Sequence, residues 1–332
     1  MEAAAPLSAA FAEDAPRALA HVNRMHDAVI RRALAVAEER VRTSRADAPP
    51  VSSFAVMLLG SGGRREQTLW SDQDNGIVYE PADGAEAPEA EAYMAQLAEA
   101  FRAALEETGY PPCDGGVLVT NPVWRKPLAE WKRTVAEWFA DPVFETVRYS
   151  LILADARAVY GAAPLVDALH GEMAALLAAH RETMLPRMLQ NTLRRKVLVG
   201  ILGNLLTERY GEDTGGIDIK YGAYLPMVNA VRLLALAHGV RETATLGRIE
   251  ALAAAGAAER DLCRQWAEAF ASVLKFRAMA PAKEEGGVWS SRGILPAAAL
   301  TNEVKRELKR AIRVGADLQR RLERLIGAEG RG

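Results

Sequence analysis

The sequence of 332 residues predicts an α+β protein, in which a small β-sheet domain with flanking helices is followed by an all-α helical domain. The runs "SSFAVMLLG" and "DNGIVYE" are short, apolar and bounded by turn residues, as buried strands are. The later part of the chain has helical spacing in almost every segment. We therefore expect an N-terminal helix over residues 1–48, a sheet domain over 49–162 and a helical domain over 163–328.

The elements between these strands follow from local signals. The segment "EAEAYMAQLAEAFRAALEETG" predicts a helix that ends at Gly109. In "GYPPCDGGVLVTNPVW" a brief strand is expected over 117–119, between turn residues. The segments after it, up to residue 162, are mostly helical in pattern, which completes the sheet domain.

The first and last helices each leave one question open. Apolar residues recur at helical spacing over 14–45, but their period does not decide whether this helix covers the back of the sheet or joins the helical domain. The helix expected over 297–326 carries an apolar repeat close to seven residues. That apolar stripe packs either inside the domain or against a second copy of the chain, as in a homodimer.

Composition and charge restrict the class of partner. The formal net charge is −2, so neither nucleic acid nor a membrane surface is expected to bind. No apolar stretch approaches the ~20 residues of a membrane span. Cys113 and Cys263 are far apart and form no metal-binding pair, which fits a reducing cytoplasm, and we interpret both as packing residues.

The stretch "GSGGRREQTLWSDQDN", residues 60–75, carries the candidate chemistry. Glycines between a strand and a helix start expose backbone N–H groups and let a phosphate approach the main chain. Asp72 and Asp74 are two residues apart, so on an extended strand both carboxylates point to the same face. Carboxylates that close repel unless a cation lies between them, and Mg²⁺ is the natural ion, with Mn²⁺ as the alternative. Arg64 and Arg65 are then expected to pair with phosphate oxygens.

Each part of this stretch also has an ordinary structural interpretation. The glycine string fits a tight turn, the Asp-x-Asp pair a capped turn, and Arg64 a local salt bridge. The conjunction favours the functional interpretation, because a strand, Gly-Ser, ten residues, Asp-x-Asp and a second strand follow one another in order.

In this order the stretch resembles the signature of the DNA polymerase β-like nucleotidyltransferase superfamily. It is most similar to a bacterial nucleotidyltransferase family that is usually joined to CBS or cyclic-nucleotide-binding domains and is related to the PII uridylyltransferase. The similarity continues into the helical half at "GGIDIKYGAYLPMVNAVRLLALAHGVRETATLGRIEAL". It implies a small mixed sheet followed by a helical bundle. It also implies that Gly60, Ser61 and Gly62 contact nucleotide phosphates and that Asp72 and Asp74 bind the metal.

The same resemblance implies a third carboxylate, for which Glu145 is the candidate and Asp155 the alternative. Each also fits a structural role, Glu145 as an exposed helix residue and Asp155 as a salt-bridge partner. Lys220, in "GGIDIKYG", is expected either to face the cleft and neutralise phosphate charge or to be a solvated loop residue. The family more often has glycine where this chain has Arg65.

The function implied is Mg²⁺-dependent transfer of a nucleoside monophosphate from a nucleoside triphosphate to a hydroxyl group. By resemblance the acceptor is a protein, such as a PII-like signalling protein. The alternative is a non-catalytic module on the same fold, which senses a nucleotide or docks another protein.

Overall fold

A computed structural model of the chain describes residues 4–45, 49–113, 115–195, 197, 205–208, 210–285 and 288–329. The strands are β1 (Val51–Leu58), β2 (Asn75–Pro81), β3 (Arg125–Pro127), β4 (Arg157–Gly161), β5 (Ile217–Asp218), β6 (Lys283–Glu285), β7 (Val288–Ser290) and β8 (Ile294–Leu295). The helices are α1 (Ala4–Ser44), α2 (Gly60–Gly63), α3 (Ala87–Glu107), α4 (Leu128–Ala140), α5 (Phe144–Leu153), α6 (Ala163–Ala179), α7 (Arg181–Leu193), α8 (Leu225–Ala237), α9 (Thr245–Ala254), α10 (Arg260–Met279) and α11 (Asn302–Glu329).

The main sheet is mixed, with strand order β3-β2-β1-β4. β1 pairs antiparallel with β2 and β4, whereas β2 pairs parallel with β3. Its central strands are apolar on both faces, and α1, α3, α4 and α6 cover it. The expected fold class, a small mixed sheet followed by a helical domain, is therefore confirmed. The domain limits at 48/49 and 162/163 stay predictions.

The strand expected over 117–119 is wrong, because that segment lies beside β2 as a loop. The Asn75 backbone N–H donates to the Val117 carbonyl at 3.1 Å, and the Val119 N–H donates to the Asn75 side-chain oxygen at 2.9 Å. The Asn75 side chain thus accepts a hydrogen bond that a backbone carbonyl would accept if 117–119 were a strand paired with β2. The strand that pairs with β2 comes later, at Arg125–Pro127.

Helix α1 answers the question that its period left open, because it contacts both parts of the chain. The helix departs from helical geometry at Asp14, just before Pro16. Phe11, Leu19 and Val22 join an apolar cluster with α8, α10 and α11. The later apolar residues of α1 pack in a different cluster, with the sheet and α3. They are Ile30, Ala33, Leu34, Ala37 and Val41.

The apolar stripe on α11 is buried within the chain. Leu308 and Leu318 are fully buried, and Ile312, Leu322 and Ile326 are nearly so. The stripe therefore packs inside the chain and is not a dimer surface. A homodimer stays a prediction, and this stripe does not support it. Among the described residues, no helix is both long and apolar enough to cross a membrane.

Candidate functional site

The glycine loop at the end of β1 lies directly against one of the two aspartates. Gly60 has a left-handed backbone, with φ +51°, and a Cβ there would lie 2.5 Å from Asp74 Oδ2. The position therefore requires glycine both for its conformation and for the close approach. The Leu59 N–H also donates to the Asp74 carbonyl at 3.0 Å, which fixes the two segments together.

The structure brings Asp72 and Asp74 together with Cys113 in one group. One carboxylate oxygen from each aspartate and the Cys113 Sγ all lie within 4.8 Å of one another. Gln73, between the aspartates, is buried and its side-chain amide donates to the Tyr110 carbonyl at 2.9 Å. The two carboxylates thus point away from the residue between them, and the 72–74 segment is anchored to the segment that carries Cys113.

The charges in this group are poorly compensated. Burial, and then repulsion from Asp72, raises the pKa of Asp74 to about 6, although a hydrogen bond from Cys113 and the charges of Arg64 and Lys220 lower it in part. Burial and the neighbouring carboxylates raise the pKa of the Cys113 thiol to about 12. Cys113 is therefore a neutral thiol that donates to Asp74.

The donor set fits a hard divalent cation. Two carboxylates that repel each other are the oxygen ligands that Mg²⁺ and Mn²⁺ prefer, and either ion would remove the repulsion. A protonated thiol is not a ligand for such ions, so Asp72 and Asp74 are the residues that would hold the metal.

A cleft of about 490 Å³ opens beside Asp72, between the sheet domain and the helical domain. Lys220 also lines this cleft, at the start of a π-helical turn, Lys220–Tyr224, that leads into α8. Within the part of the chain that the structure describes, its ammonium group has no ion-pair partner. Trp70 and Trp289 stack at the rim, with ring centroids 5.0 Å apart and about two fifths of each residue exposed.

Ser61 and Gly62 share a small recess with both aspartates. Asp218 lines the larger cleft, and its carboxylate accepts from the Tyr221 N–H at 2.8 Å, which caps the π-helical turn. Residues 60–62, the acidic pair and Lys220 are therefore the predicted site residues that converge.

Arg64 is placed inside the protein rather than in the cleft, with 3% of its side chain exposed. Its guanidinium donates to Glu66 at 2.9 Å, to Asp155 at 2.5 Å and to the Tyr224 hydroxyl at 2.8 Å. All three nitrogens of the guanidinium contact buried protein groups and the side chain does not reach the cleft, so the geometry gives Arg64 a structural role.

Asp155, the alternative third carboxylate, belongs to the same buried network. It is fully buried and also accepts from Arg232 of α8 and Arg248 of α9. Three guanidinium groups therefore surround one carboxylate, and they join the loop after β1 to the helical domain.

Glu145 and Arg65 also lie apart from the acidic pair. Glu145 is exposed in the first turn of α5 and accepts from the Tyr149 hydroxyl at 2.6 Å. It is not part of the acidic group, so the geometry supports an exposed helix residue. Arg65 lines a different cleft, next to α1.

Cys113 and the stacked tryptophans were missed by sequence reasoning. No metal-binding spacing marks Cys113, and its contact with Asp74 depends on how the loop after α3 folds back along the 72–74 segment. Trp70 and Trp289 are more than 200 residues apart. The sequence shows only that a tryptophan stands two residues before Asp72, and its exposure is visible in the structure alone.

Comparison with known families agrees with this arrangement. A family model described as "Putative nucleotidyltransferase DUF294" matches residues 6–145, and one described as "Putative nucleotidyltransferase substrate binding domain" matches residues 182–326. A search of curated proteins finds no match to the chain. The two family matches cover separate parts of the sequence, and the chain therefore carries a DUF294 nucleotidyltransferase domain followed by a nucleotidyltransferase substrate-binding domain.

Proposed function

We propose that the protein transfers a nucleoside monophosphate from a nucleoside triphosphate to a hydroxyl group, with Mg²⁺ or Mn²⁺ held by Asp72 and Asp74. The observation that supports this most is the crowded, undercompensated acidic pair at a cleft that Lys220 also lines. Carboxylates that bind cation and phosphate together need this combination of charges.

Each converging residue has a role in the proposal. The backbone at Gly60 and Ser61 lies where phosphate oxygens approach the acidic pair, because Gly60 touches Asp74. Lys220 neutralises phosphate charge from the helical domain. When bound, the cation supplies charge neutralisation on the phosphates and activation of the attacking hydroxyl.

The reaction forms a bond between the acceptor oxygen and the α-phosphorus and breaks the bond from that phosphorus to the bridging oxygen of the leaving group. Pyrophosphate leaves, and the hydroxyl proton passes to solvent. We assign that proton to no protein carboxylate, because Glu145 lies outside the acidic group and Asp155 is surrounded by arginines.

The acceptor is proposed to be a protein hydroxyl, such as a tyrosine of a PII-like signalling protein. This part follows from the family resemblance, and the description of the second domain as substrate binding supports an acceptor held by the helical half. The nucleotide base is proposed to lie near Trp70 and Trp289, because exposed aromatic rings stack on any base.

A second candidate is a nucleotide-sensing module without transfer activity. One observation favours it: among the described residues, the third member of the acidic group is the thiol of Cys113 rather than a carboxylate. This module would bind a nucleotide and cation in the same cleft and would leave the phosphates intact.

Labelled nucleotides separate the two candidates. The purified protein is incubated with labelled ATP, UTP, CTP or GTP, Mg²⁺ and a lysate of the source organism. We expect label on an acceptor with the wild type and with Asp261→Asn, an exposed control carboxylate, and none with Asp72→Asn/Asp74→Asn. Nucleotide binding without label transfer in the wild type would instead establish the sensing module.

A further inference from the structure

A second cleft lies between α1 and the helical domain. Its volume is about 730 Å³, which is in the range of cavities that hold small-molecule ligands. Its walls come from α1, from residues 64–66 and from α9 and α10. It shares no lining residue with the cleft of Asp72 and Lys220, so it is a separate site.

The wall of this cleft opposite the solvent is apolar. It is formed by Leu19 of α1, Leu246 of α9, and Phe270 and Leu274 of α10. Leu19, Phe270 and Leu274 belong to the core and are at most 3% exposed, which gives the cavity a rigid base. Leu246 lies in front of this base and is partly exposed, so an apolar body of matching size would bury surface against it.

Three arginines line the same cavity, Arg24, Arg31 and Arg65. All three residues are exposed, and none has an ion-pair partner among the residues that the structure describes. Arg31 uses its Nε to donate to the Val159 carbonyl at 2.9 Å, which fixes the direction of its side chain. Guanidinium groups of this kind bind phosphate and carboxylate oxygens in pairs.

The acidic groups nearby are already engaged. Asp27 accepts two hydrogen bonds from Arg157, at 2.8 and 3.0 Å, and Glu66 pairs with Arg64. Glu242, which acts on Arg65 through its charge, accepts from the backbone N–H groups that follow it. The cleft therefore has an excess of positive charge.

Arg65 is held in the cleft at an energetic cost. Its φ of 56° lies in the left-handed region, and among the described residues other than glycine no second one has a positive φ. Burial, and then the charges of Arg157 and Arg31, lowers the pKa of Arg65. Backbone strain and crowded like charges of this kind persist where a ligand offsets them.

We propose that this second cleft binds a small organic anion. A phosphate or carboxylate group meets Arg24, Arg31 and Arg65, and an apolar body lies against Leu246. The site requires neither the acidic pair nor a cation, so it is independent of nucleotidyl transfer. Because Arg65 lies on the loop between Gly60 and Asp72, an anion bound there contacts both domains beside the candidate active site.

Isothermal titration calorimetry on the full chain, with EDTA present to exclude metal, tests the proposal. Phenyl phosphate and benzoate distinguish a phosphate ligand from a carboxylate ligand, and inorganic phosphate lacks the apolar body. The variant is Arg24→Gln/Arg65→Asn, in which asparagine tolerates the left-handed backbone. The matched control is Arg133→Gln, an exposed arginine on α4, and Lys220→Gln reports on the other cleft.

We expect phenyl phosphate or benzoate to bind the wild type, Arg133→Gln and Lys220→Gln alike, and inorganic phosphate to bind more weakly. Affinity should fall at least about tenfold in the double variant, with a melting temperature no lower than that of the wild type. Binding unchanged in the double variant, equal loss in either control, or no binding of any probe at about 10 mM would overturn the proposal. Equal affinity for inorganic and phenyl phosphate would overturn the role of the apolar wall.

Discussion

The buried Asp155 and the pair of Asp72 and Asp74 have opposite electrostatic surroundings. Asp155 is fully buried, and although burial alone would raise its pKa, Arg232, Arg64 and Arg248 hold that pKa well below its usual range. Asp74 is also largely buried, but its near neighbour is another carboxylate, and its pKa rises to about 6. The carboxylate of Asp155 pairs with three guanidinium groups, one of which also pairs with Glu66, whereas Asp72 and Asp74 form no ion pair among the described residues.

The difference shows that the surroundings, rather than the residue type, separate structural from functional carboxylates. A carboxylate fully paired by guanidinium groups has nothing to offer a ligand, and removing it leaves buried positive charge. A pair that is crowded and undercompensated is stabilised only when a cation binds. Asp155 is therefore the connector of the two domains, and Asp72 and Asp74 are the candidate cation ligands.

The largest effect is expected for Asp155→Asn. The change leaves Arg232 and Arg248 buried without a compensating charge and Arg64 with Glu66 alone, so the free energy of unfolding should fall by about 3–5 kcal/mol. Equilibrium unfolding in urea measures it, with Asp261→Asn as the exposed control, for which almost no change is expected. A loss below about 1 kcal/mol for Asp155→Asn would show that the network does not hold the domains together.

The sequence predicted contacts between residues that are close along the chain and missed contacts between residues that are far apart along it. The strand, glycine loop and Asp-x-Asp lie within 25 residues, so their local order was enough to place Gly60 beside Asp74. Arg64 looked like a phosphate ligand for the same local reason. Its partners Asp155 and Tyr224 are 91 and 160 residues away, and no local pattern announces a pairing of that range.

A smaller effect, of opposite sign, is expected for the neighbour of Arg64. Arg65→Gly removes a left-handed non-glycine residue, so the free energy of unfolding should rise by about 1 kcal/mol. The matched control is Arg65→Ala, which removes the same guanidinium but keeps the Cβ and therefore the strain. Equal stability of the glycine and alanine variants would contradict the strain at this position.

The smallest effect concerns His26, which supports the segment that anchors the acidic pair. His26 Nδ1 contacts the Tyr110 hydroxyl at 2.6 Å and Nε2 contacts the Thr68 carbonyl at 2.8 Å, and burial lowers the pKa of the imidazole from 6.5. As pH falls, the imidazole of His26 is therefore protonated at a higher pH in the unfolded chain than in the folded protein. The stability that the neutral ring contributes is present above pH 6.5 and is lost as pH falls through the folded pKa.

We expect the melting temperature of the wild type to fall between about pH 7 and pH 5 more steeply than that of His26→Gln. The two proteins compared, with His26 and with His26→Gln, both carry Asp72→Asn/Asp74→Asn, which removes the contribution of the acidic pair to the pH dependence. Parallel curves for the two proteins would show that His26 is not buried in its neutral form.

Binding of Mn²⁺ followed by electron paramagnetic resonance tests the central claim most directly, because it reports on the cation itself. The wild type and Asp261→Asn should show saturable bound Mn²⁺ that strengthens when a nucleoside triphosphate is added. Asp72→Asn/Asp74→Asn should lose that binding and should keep a melting temperature at least as high as the wild type without metal, since its charge repulsion is gone. Undiminished Mn²⁺ binding in the double variant would contradict the assignment of Asp72 and Asp74 as the cation site.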